Sequence, residues 1–256
     1  MKYKIAILCF ICTIINACNY PITMVGHRGC LLGVENTEEA FINGATHFGY
    51  QGLECDVKVT VDSQLICWHD DHLQRVGIDS IVIPTSTLAQ LQAITLVQTR
   101  QDITYTAKIC TVDRYLEICQ EKDVFPVIEL KWGIGLNNND MTLFPRLYQL
   151  IEKHGLEKDA IILTSMQQSI EYIRTNYPRL TCQWLRHNVK EEDYAWCKQW
   201  DVSLSVAHTS ITEEVIIRSK EMGKAVATWT VNKGADYERV KNIGCKYITT
   251  DYLEIN

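Results

Sequence analysis

The chain has 256 residues, of which 46% are hydrophobic and 22% charged, an ordinary globular composition for one large domain or two small ones. Its formal net charge is −6, and no lysine or arginine cluster reverses that sign locally. This balance argues against a nucleic-acid-binding surface and against a polybasic membrane surface. No linker rich in Pro, Gly or Ser divides the sequence, so we expect one domain.

The first seventeen residues differ in kind from the rest. Lys2 and Lys4 precede an apolar run over residues 5–15, which is too short to span a bilayer but suits a signal peptide. The run ends in "INAC", which resembles the lipobox of bacterial lipoproteins, where cleavage leaves the cysteine, here Cys18, as a lipid-modified first residue. We therefore expect a signal peptide over residues 1–17, export to the periplasm or cell envelope, and a membrane anchor on Cys18. Simple secretion is the alternative.

The cysteine count bears on disulfides. Eleven cysteines are present, and three of them belong to the predicted leader or its end, which leaves eight for the folded chain. An even number in an exported protein permits disulfides. However, Cys55, Cys67 and Cys182 fall within strand-like runs, which is typical of small buried hydrophobic side chains. We expect no disulfide framework, and no Cys-x-x-Cys pair outside the leader indicates a zinc or redox site.

Short apolar runs alternate with helical patterns along the chain, which is typical of repeated βα units around a parallel sheet. The nine predicted strands are 22–27, 52–59, 65–69, 125–131, 160–165, 182–187, 202–208, 225–231 and 246–251.

Helix signals stand between these strands. The pattern predicts a helix over 36–49 with Asn36 as its N-cap and Glu39 completing a capping box, and it ends at Gly49. A second helix is predicted over 212–223 with Thr212 as its N-cap and Gly223 at its end, and a third over residues 111–123.

The spacing of the strands predicts the architecture. Only five residues, 60–64, join the second and third strands, too few for a parallel crossover, so these strands form a hairpin or one lies outside the barrel. Eight places remain for the other units, which favours a (β/α)₈ TIM barrel over residues 18–256. An open doubly wound sheet is the alternative, but no Gly-rich phosphate loop follows the first strand. Residues 70–109 form a predicted small insertion above the barrel mouth.

Two carboxylates occupy one face of the second strand. Because side chains alternate along a strand, Glu54 and Asp56 point one way and Cys55 the other. Buried carboxylates so close together must be protonated, paired with cations or bound to a metal. The same alternation places Glu129 and Lys131 on one face of their strand. Three inward carboxylates at strand ends favour a hard divalent cation, although each taken singly is typical of a salt bridge.

His27 and His69 each end a predicted strand and lie close in sequence to Arg28 or the carboxylates. Strand ends are where barrel enzymes place their active sites, although one such histidine alone is more often structural. Together with Arg28, Lys131 and the carboxylates, the pair indicates acid–base chemistry on an anion held beside a metal.

Six segments resemble, in order, the signature of the glycerophosphodiester phosphodiesterase family. They are "GHRG" (26–29), "ENTEEAF" (35–41), "ECDVKVTVDSQLICWHDDHLQRV" (54–76), "VIELK" (127–131), "WTVN" (229–232) and "ITTDY" (248–252). The resemblance implies a TIM barrel with an insertion before the strand of the third carboxylate. It also implies hydrolysis of small glycerophosphodiesters to glycerol phosphate and an alcohol.

The resemblance also implies a role for each matching residue. His27 and His69 match the general acid/base pair, Glu54, Asp56 and Glu129 match ligands of Mg²⁺ or Ca²⁺, Arg28 and Lys131 match the phosphate-binding residues, and Trp229 matches a tryptophan near the glycerol. The sequence leaves open which histidine is the acid and which the base, and whether water attacks directly or a cyclic phosphate forms first. It also leaves open the headgroup, the metal and the oligomeric state.

Two other functions fit parts of the same pattern. A related barrel phospholipase, of the C or D type, would share the two-histidine mouth but act on intact phospholipid. A surface-bound binding module would keep the barrel without catalysis, although the polar residues of the predicted site are all present.

Overall fold

The computed structural model describes residues 22–135 and 140–253. The predicted leader and Cys18 lie outside these residues. Among the described residues, no helix is long and apolar enough to cross a membrane. The strands are β1 (Thr23–Gly26), β2 (Gly52–Val59), β3 (Leu65–Cys67), β4 (His72–Leu73), β5 (Ile78–Val82), β6 (Leu96–Arg100), β7 (Ile103–Ala107), β8 (Phe125–Leu130), β9 (Ile161–Thr164), β10 (Thr181–Arg186), β11 (Ser203–Ala207), β12 (Ala227–Trp229) and β13 (Tyr247–Thr250).

The α-helices of the described chain follow the same order. They are α1 (Glu38–Thr46), α2 (Leu88–Ala93), α3 (Val112–Glu121), α4 (Phe144–Lys153), α5 (Gln167–Asn176), α6 (Glu191–Trp200), α7 (Glu213–Glu221) and α8 (Gly234–Ile243).

Eight parallel strands close into a ring. Their order is β1, β2, β8, β9, β10, β11, β12 and β13, and β13 pairs with β1. Gly26 of β1 is in register with Leu53 on one side and Thr250 on the other, so the first and last barrel strands lie side by side. The structure confirms the (β/α)₈ TIM barrel and excludes the open sheet.

The short link after β2 turns the chain back on itself. β3 pairs antiparallel with β2, with Val57 opposite Cys67, which confirms the hairpin predicted from the five-residue spacing. The turn uses Ser63 at φ 58°, a left-handed backbone conformation. This return brings His69, two residues beyond β3, towards the strand that carries Glu54 and Asp56.

Between β3 and α3 the chain forms two small antiparallel pairs, β4 with β5 and β6 with β7, together with α2. These elements share an apolar cluster with the loop after β1 and the strand β3. Its fully or nearly fully buried members are Val34, Ile66, Trp68, Leu73, Val76, Ile83, Leu91, Leu96 and Ile109. The cluster ties this segment to the part of the barrel that carries the polar residues described below.

The barrel wall separates two apolar layers. Leu53, Cys55 and Val57 of β2 are buried in the layer shared with the surrounding helices, whereas Val127 of β8 and Ile161 of β9 are buried inside the barrel. This confirms the alternation predicted for β2. Every cysteine in the described part of the chain is buried and unpaired.

The two predicted helix caps have different outcomes. Thr212 caps α7, because its hydroxyl accepts a hydrogen bond from the Val215 amide. The prediction of Asn36 as a cap is wrong, since α1 begins at Glu38 after Thr37. Asn36 instead has φ 58° and is fully buried, with its side chain bound to β2 rather than to the helix.

Candidate active site

The predicted site residues meet at one end of the barrel. His27, Arg28, Glu54, His69, Glu129, Lys131 and Trp229 all line one cavity of about 340 Å³, and Asp56 lies buried beneath it. Their strands are parallel, so their carboxyl ends share the barrel face on which active sites of this architecture are built. The volume lies within the range of small-molecule pockets, about 300–1,000 Å³.

Three carboxylates form the floor of this end. Glu54 is 1% exposed, Asp56 0% and Glu129 9%, and Asp56 and Glu129 are register partners on β2 and β8. One oxygen from each lies within 4.8 Å of the others. The alternation inferred from the sequence therefore does bring these three side chains together.

Positive groups lie beside two of the carboxylates. The ammonium of Lys131 lies 2.6 Å from Oε1 of Glu129 and 3.1 Å from Oδ1 of Asp56. The guanidinium Nε of Arg28 lies 3.2 Å from Oδ2 of Asp56. Asp56 also accepts a hydrogen bond of 2.9 Å from the Asn36 side chain, whose own oxygen accepts from the Asp56 amide.

These surroundings shift the pKa values of Glu54 and Asp56, the two carboxylates of β2, in opposite directions. Burial, followed by the charge of Asp56, raises the pKa of Glu54. Burial also acts to raise the pKa of Asp56, but Lys131 and Arg28 outweigh it and hold that pKa well below its usual range. Without a bound cation, these surroundings favour the ionised form of Asp56 and disfavour the ionised form of Glu54.

Glu54 lacks a compensating partner. Its Oε2 accepts a hydrogen bond of 2.8 Å from the Arg28 amide, but within the described residues its Oε1 is buried with none. Oδ1 of Asp56 likewise has only the nearby Lys131 ammonium. Unsatisfied carboxylate oxygens converging with Glu129 are the ligands that hard divalent cations select, so these residues fit Mg²⁺ or Ca²⁺.

His27 is held by residues at the opposite end of the chain. Its Nδ1 lies 2.8 Å from Oδ1 of Asp251. The side-chain NH2 group of Asn232 donates a hydrogen bond of 2.8 Å to Oδ2 of the same aspartate. Burial lowers the pKa of His27, but the hydrogen bond to Asp251 and the charge of Glu54 together raise it by more than burial lowers it. The net shift of the pKa is therefore upward. Burial acts to raise the pKa of Asp251, but the hydrogen bond from His27 brings it down to about 2.

His69 has a matching carboxylate. Its Nδ1 is hydrogen-bonded to Asp70, and Asp70 is paired in turn with Arg75. The pKa of His69 is lowered, chiefly by burial, with Asp56 opposing that shift and Arg28 adding to it. Because carboxylates only accept hydrogen bonds, these contacts favour the tautomers of His27 and His69 that carry the proton on Nδ1, which leaves Nε2 unprotonated in the neutral ring.

The turn after β1 has a conformation that depends on glycine. Gly29 has φ +92°, and a Cβ placed on it would lie 2.6 Å from the backbone of Ala40 in α1. Arg28 beside it also has a positive φ, of 51°. Close packing of this turn on α1 directs the Arg28 amide to Glu54 and its side chain to Asp56.

The other half of the cavity is less polar. It is lined by Leu163, Leu185 and Trp229, and by His187 just after β10. The rings of Trp229 and His187 meet edge to face with centroids 5.0 Å apart. In the ring order, β12 and β10 face the strands that carry the acidic and basic residues, so the cavity has a charged half and an apolar half.

A family model described as the glycerophosphoryl diester phosphodiesterase family matches residues 19–255. The chain belongs to this family. Among curated proteins, a glycerophosphodiester phosphodiesterase of Caldanaerobacter subterraneus is 26% identical, covering 89% of this chain and 93% of the relative. A probable glycerophosphodiester phosphodiesterase 1 of Mycobacterium tuberculosis is 24% identical, covering 90% and 89%.

Solved structures share the fold of this phosphodiesterase. A putative glycerophosphoryl diester phosphodiesterase from Silicibacter pomeroyi superposes with a TM-score of 0.79 at 19% identity, covering 91% of this chain and 90% of the other. A phosphodiesterase from Oleispira antarctica, solved in complex with its product sn-glycerol-3-phosphate, gives 0.76 at 17% identity, covering 90% and 93%.

Several residues of the site were not assigned from sequence. They are Glu35, Asn36, Asp70, His187, Asn232 and Asp251. All except His187 stand inside the six segments that carry the family resemblance, which was the available signal. His187 ends a predicted strand, as His27 does, but it lies outside those segments.

Proposed function

We propose that this phosphodiesterase hydrolyses glycerophosphodiesters to glycerol phosphate and an alcohol, and that it needs a divalent cation to do so. The observation that carries the proposal is the convergence of three buried carboxylates within 4.8 Å beside Arg28 and Lys131. Family membership and the product bound to the Oleispira antarctica relative support the same substrate class.

Glu54, Asp56 and Glu129 are the proposed ligands of the cation, since their oxygens converge and one of them has no other partner. A bound divalent cation would neutralise phosphate charge and polarise the phosphorus centre. Mg²⁺ and Ca²⁺ both accept an all-oxygen ligand set, so both belong in the test.

Arg28 and Lys131 are the proposed phosphate-binding residues. A phosphodiester carries one negative charge, and nucleophilic attack adds another. Fixed guanidinium and ammonium groups beside the reacting phosphate stabilise that added charge where it develops. Both side chains are already held in place by Asp56, which limits the reorganisation needed during the reaction.

His27 and His69 are the proposed acid–base pair. With Nδ1 of each held by a carboxylate, Nε2 of one removes a proton from the attacking oxygen and Nε2 of the other donates one to the leaving alcohol. When the attacking oxygen belongs to water, these two transfers give glycerol phosphate and the alcohol directly. When it is the glycerol hydroxyl of the substrate, they release the alcohol and leave a cyclic phosphate, which water then opens in a second pair of transfers to give glycerol phosphate. Trp229 forms part of the proposed glycerol-binding wall.

A substrate panel tests this function. Glycerophosphodiesters with choline, ethanolamine, glycerol and inositol headgroups are incubated with Mg²⁺ or Ca²⁺, and glycerol phosphate is measured. We expect release that EDTA abolishes and added cation restores. Activity that is indifferent to EDTA would remove the metal from the proposal. Headgroup release from phospholipid vesicles, with none from the soluble diesters, would identify the phospholipase alternative.

Export and lipid anchoring at Cys18 remain a proposal that rests on the sequence of residues 1–18. Expression of the full chain in a bacterium with a labelled fatty acid tests it. We expect label in the wild-type protein and none in Cys18→Ala. Equal labelling of the two proteins would refute the anchor.

A further inference from the structure

Glu35, in the loop between β1 and α1, is a buried carboxylate surrounded by three arginines. It is 4% exposed. Its Oε1 accepts a hydrogen bond of 3.0 Å from Arg28, and its Oε2 accepts one of 2.9 Å from Arg100. The guanidinium of Arg75 lies 3.5 Å from Oε1. Glu35 therefore holds three guanidinium groups together beside the cavity that Arg28 lines.

The three arginines come from different parts of the fold. Arg28 follows β1, Arg75 lies in the single helical turn after β4, and Arg100 ends β6. Arg75 also pairs with Asp70, the carboxylate that holds His69. Glu35 therefore lies between the side chain that contacts Asp56 and the pair that orients a site histidine.

Arg100 donates a hydrogen bond from each of its three side-chain nitrogens, one of them to Glu35. Nη2 donates to Glu35, Nε donates a hydrogen bond of 3.1 Å to the Gln98 side chain, and Nη1 donates one of 3.2 Å to the carbonyl of Cys30. The same Gln98 oxygen accepts 3.1 Å from the Glu35 amide. A guanidinium occupied at every nitrogen fixes the direction of its partner, which a lysine ammonium at the same position cannot reproduce.

We propose that Glu35 is a positioning residue that fixes the guanidinium of Arg28 for the phosphate, and that Arg100 in the β6–β7 hairpin fixes Glu35. The β6–β7 hairpin thereby acts on the reaction without contacting the reacting atoms. This inference rests on the proposed phosphate-binding role of Arg28.

A double-mutant cycle tests the coupling of Glu35 to Arg28. Glu35→Gln keeps the size of the side chain but removes its charge, and we expect kcat/KM to fall about 10- to 100-fold, since misplacing a substrate-positioning group by about 1 Å can cost about 100-fold. Most of the fall should appear in kcat, because the guanidinium matters most where charge develops. In an Arg28→Lys background, the same change should cost less than about threefold, because the partner it acts through has gone.

A second series tests Arg100 and guards against misfolding. We expect Arg100→Ala to lower kcat/KM and Arg100→Lys to recover only part of the loss, because the ammonium keeps the charge but not the fork. Arg218→Ala is the matched control, since Arg218 makes two hydrogen bonds to Glu191 on the exposed outer helices. Thermal unfolding of each variant shows that the fold is retained.

The outcomes separate this inference from the proposed function. If wild-type protein hydrolyses no glycerophosphodiester, the function itself fails. If wild-type protein is active but Glu35→Gln costs the same factor in both backgrounds, Glu35 has only a structural role and the inference is overturned. Activity of Arg100→Ala equal to that of Arg218→Ala, or full activity of Arg28→Lys, would also overturn it.

Discussion

The imidazole of His27 is hydrogen-bonded at 2.8 Å to the carboxylate of Asp251, a residue 224 positions later in the chain. The partnership follows from the pairing of β1 with β13, which places the residue after each strand at the same edge of the barrel. Asn232 completes it by donating to the second oxygen of Asp251. The tautomer and ring orientation of His27 are therefore set before the proton transfer that we propose for it.

Asp251→Asn should remove this orientation. The side-chain oxygen of the new asparagine can accept a hydrogen bond from Nδ1 of His27 only if its NH2 group faces the side-chain NH2 group of Asn232. Both of those groups are donors, so they cannot bond to each other. We expect kcat to fall by roughly 100-fold or more, because general acid–base catalysis contributes about 10²–10⁴-fold. Asp236→Asn is the control, since Asp236 lies 3.6 Å from His208 outside the cavity. Equal turnover for the two variants would contradict the role of Asp251.

Glu54→Gln should stabilise the protein in EDTA, and the gain should grow with pH. The raised pKa of Glu54 means that the folded chain holds its proton more tightly than the unfolded chain does. Stability is therefore lost as pH rises from the ordinary glutamate pKa, about 4.3, through the raised value. Glutamine stays neutral and escapes that loss. Chemical denaturation from pH 4.5 to 8 measures the difference in the free energy of unfolding between Glu54→Gln and wild type. Saturating Mg²⁺ should reverse the sign of that difference.

Asp56→Asn should do the opposite of Glu54→Gln in EDTA. Asp56 is fully buried and faces both Arg28 and Lys131, and its pKa is depressed by them. Removing one partner of a buried ion pair costs about 3–5 kcal/mol, because the remaining charges stay buried. This contribution is present above the ordinary aspartate pKa, about 3.9, and is lost as pH falls through the depressed value. A stabilised Asp56→Asn protein at pH 7 would contradict the pairing.

Asn36→Ser distinguishes two roles of this residue, capping of α1 and hydrogen bonding to Asp56. Serine is as good an N-cap as asparagine, but it is too short to bridge to both the side chain and the amide of Asp56. We expect activity to fall and stability to drop by about 1–3 kcal/mol, the cost of leaving buried polar groups unsatisfied. Asn43→Ser, which loses a hydrogen bond to the Leu32 carbonyl away from the carboxylates, should leave kcat near wild type.

His187→Ala should change substrate preference rather than turnover. His187 is exposed, lines the apolar half of the cavity and touches no carboxylate of the site. We expect kcat to stay within about threefold of wild type, while KM changes by different amounts for the different headgroups. The lost contact binds the ground state and the transition state equally and leaves the reacting atoms unchanged, so it affects KM and not kcat. His47→Ala, at the exposed end of α1, is the control. A uniform loss of kcat would assign His187 to the chemistry instead.

The carboxylate cluster could be predicted because it depends on a local rule. Alternation along β2 and β8 fixes which side chains point inward, and parallel strands bring their ends together. Asn36 shows where local rules fail. Its sequence context satisfies the capping pattern, but Asp56, twenty residues away, offers its side chain a stronger buried partner. The partners of His27 and Glu35 depend on closure of the ring and on the β6–β7 hairpin, which no short window of sequence contains.

The pairing of the first barrel strand with the last also has a consequence for the chain during its synthesis. β13 is the last of the eight barrel strands along the chain, and Asp251 follows it directly. A ribosome-bound chain that lacks these residues has a full set of carboxylates but no partner for His27. Because synthesis proceeds from the N-terminus at about 5–20 residues per second, the carboxylate partner of His27 is made only after all eight barrel strands. The proton transfer that we propose for His27 therefore depends on a completed barrel.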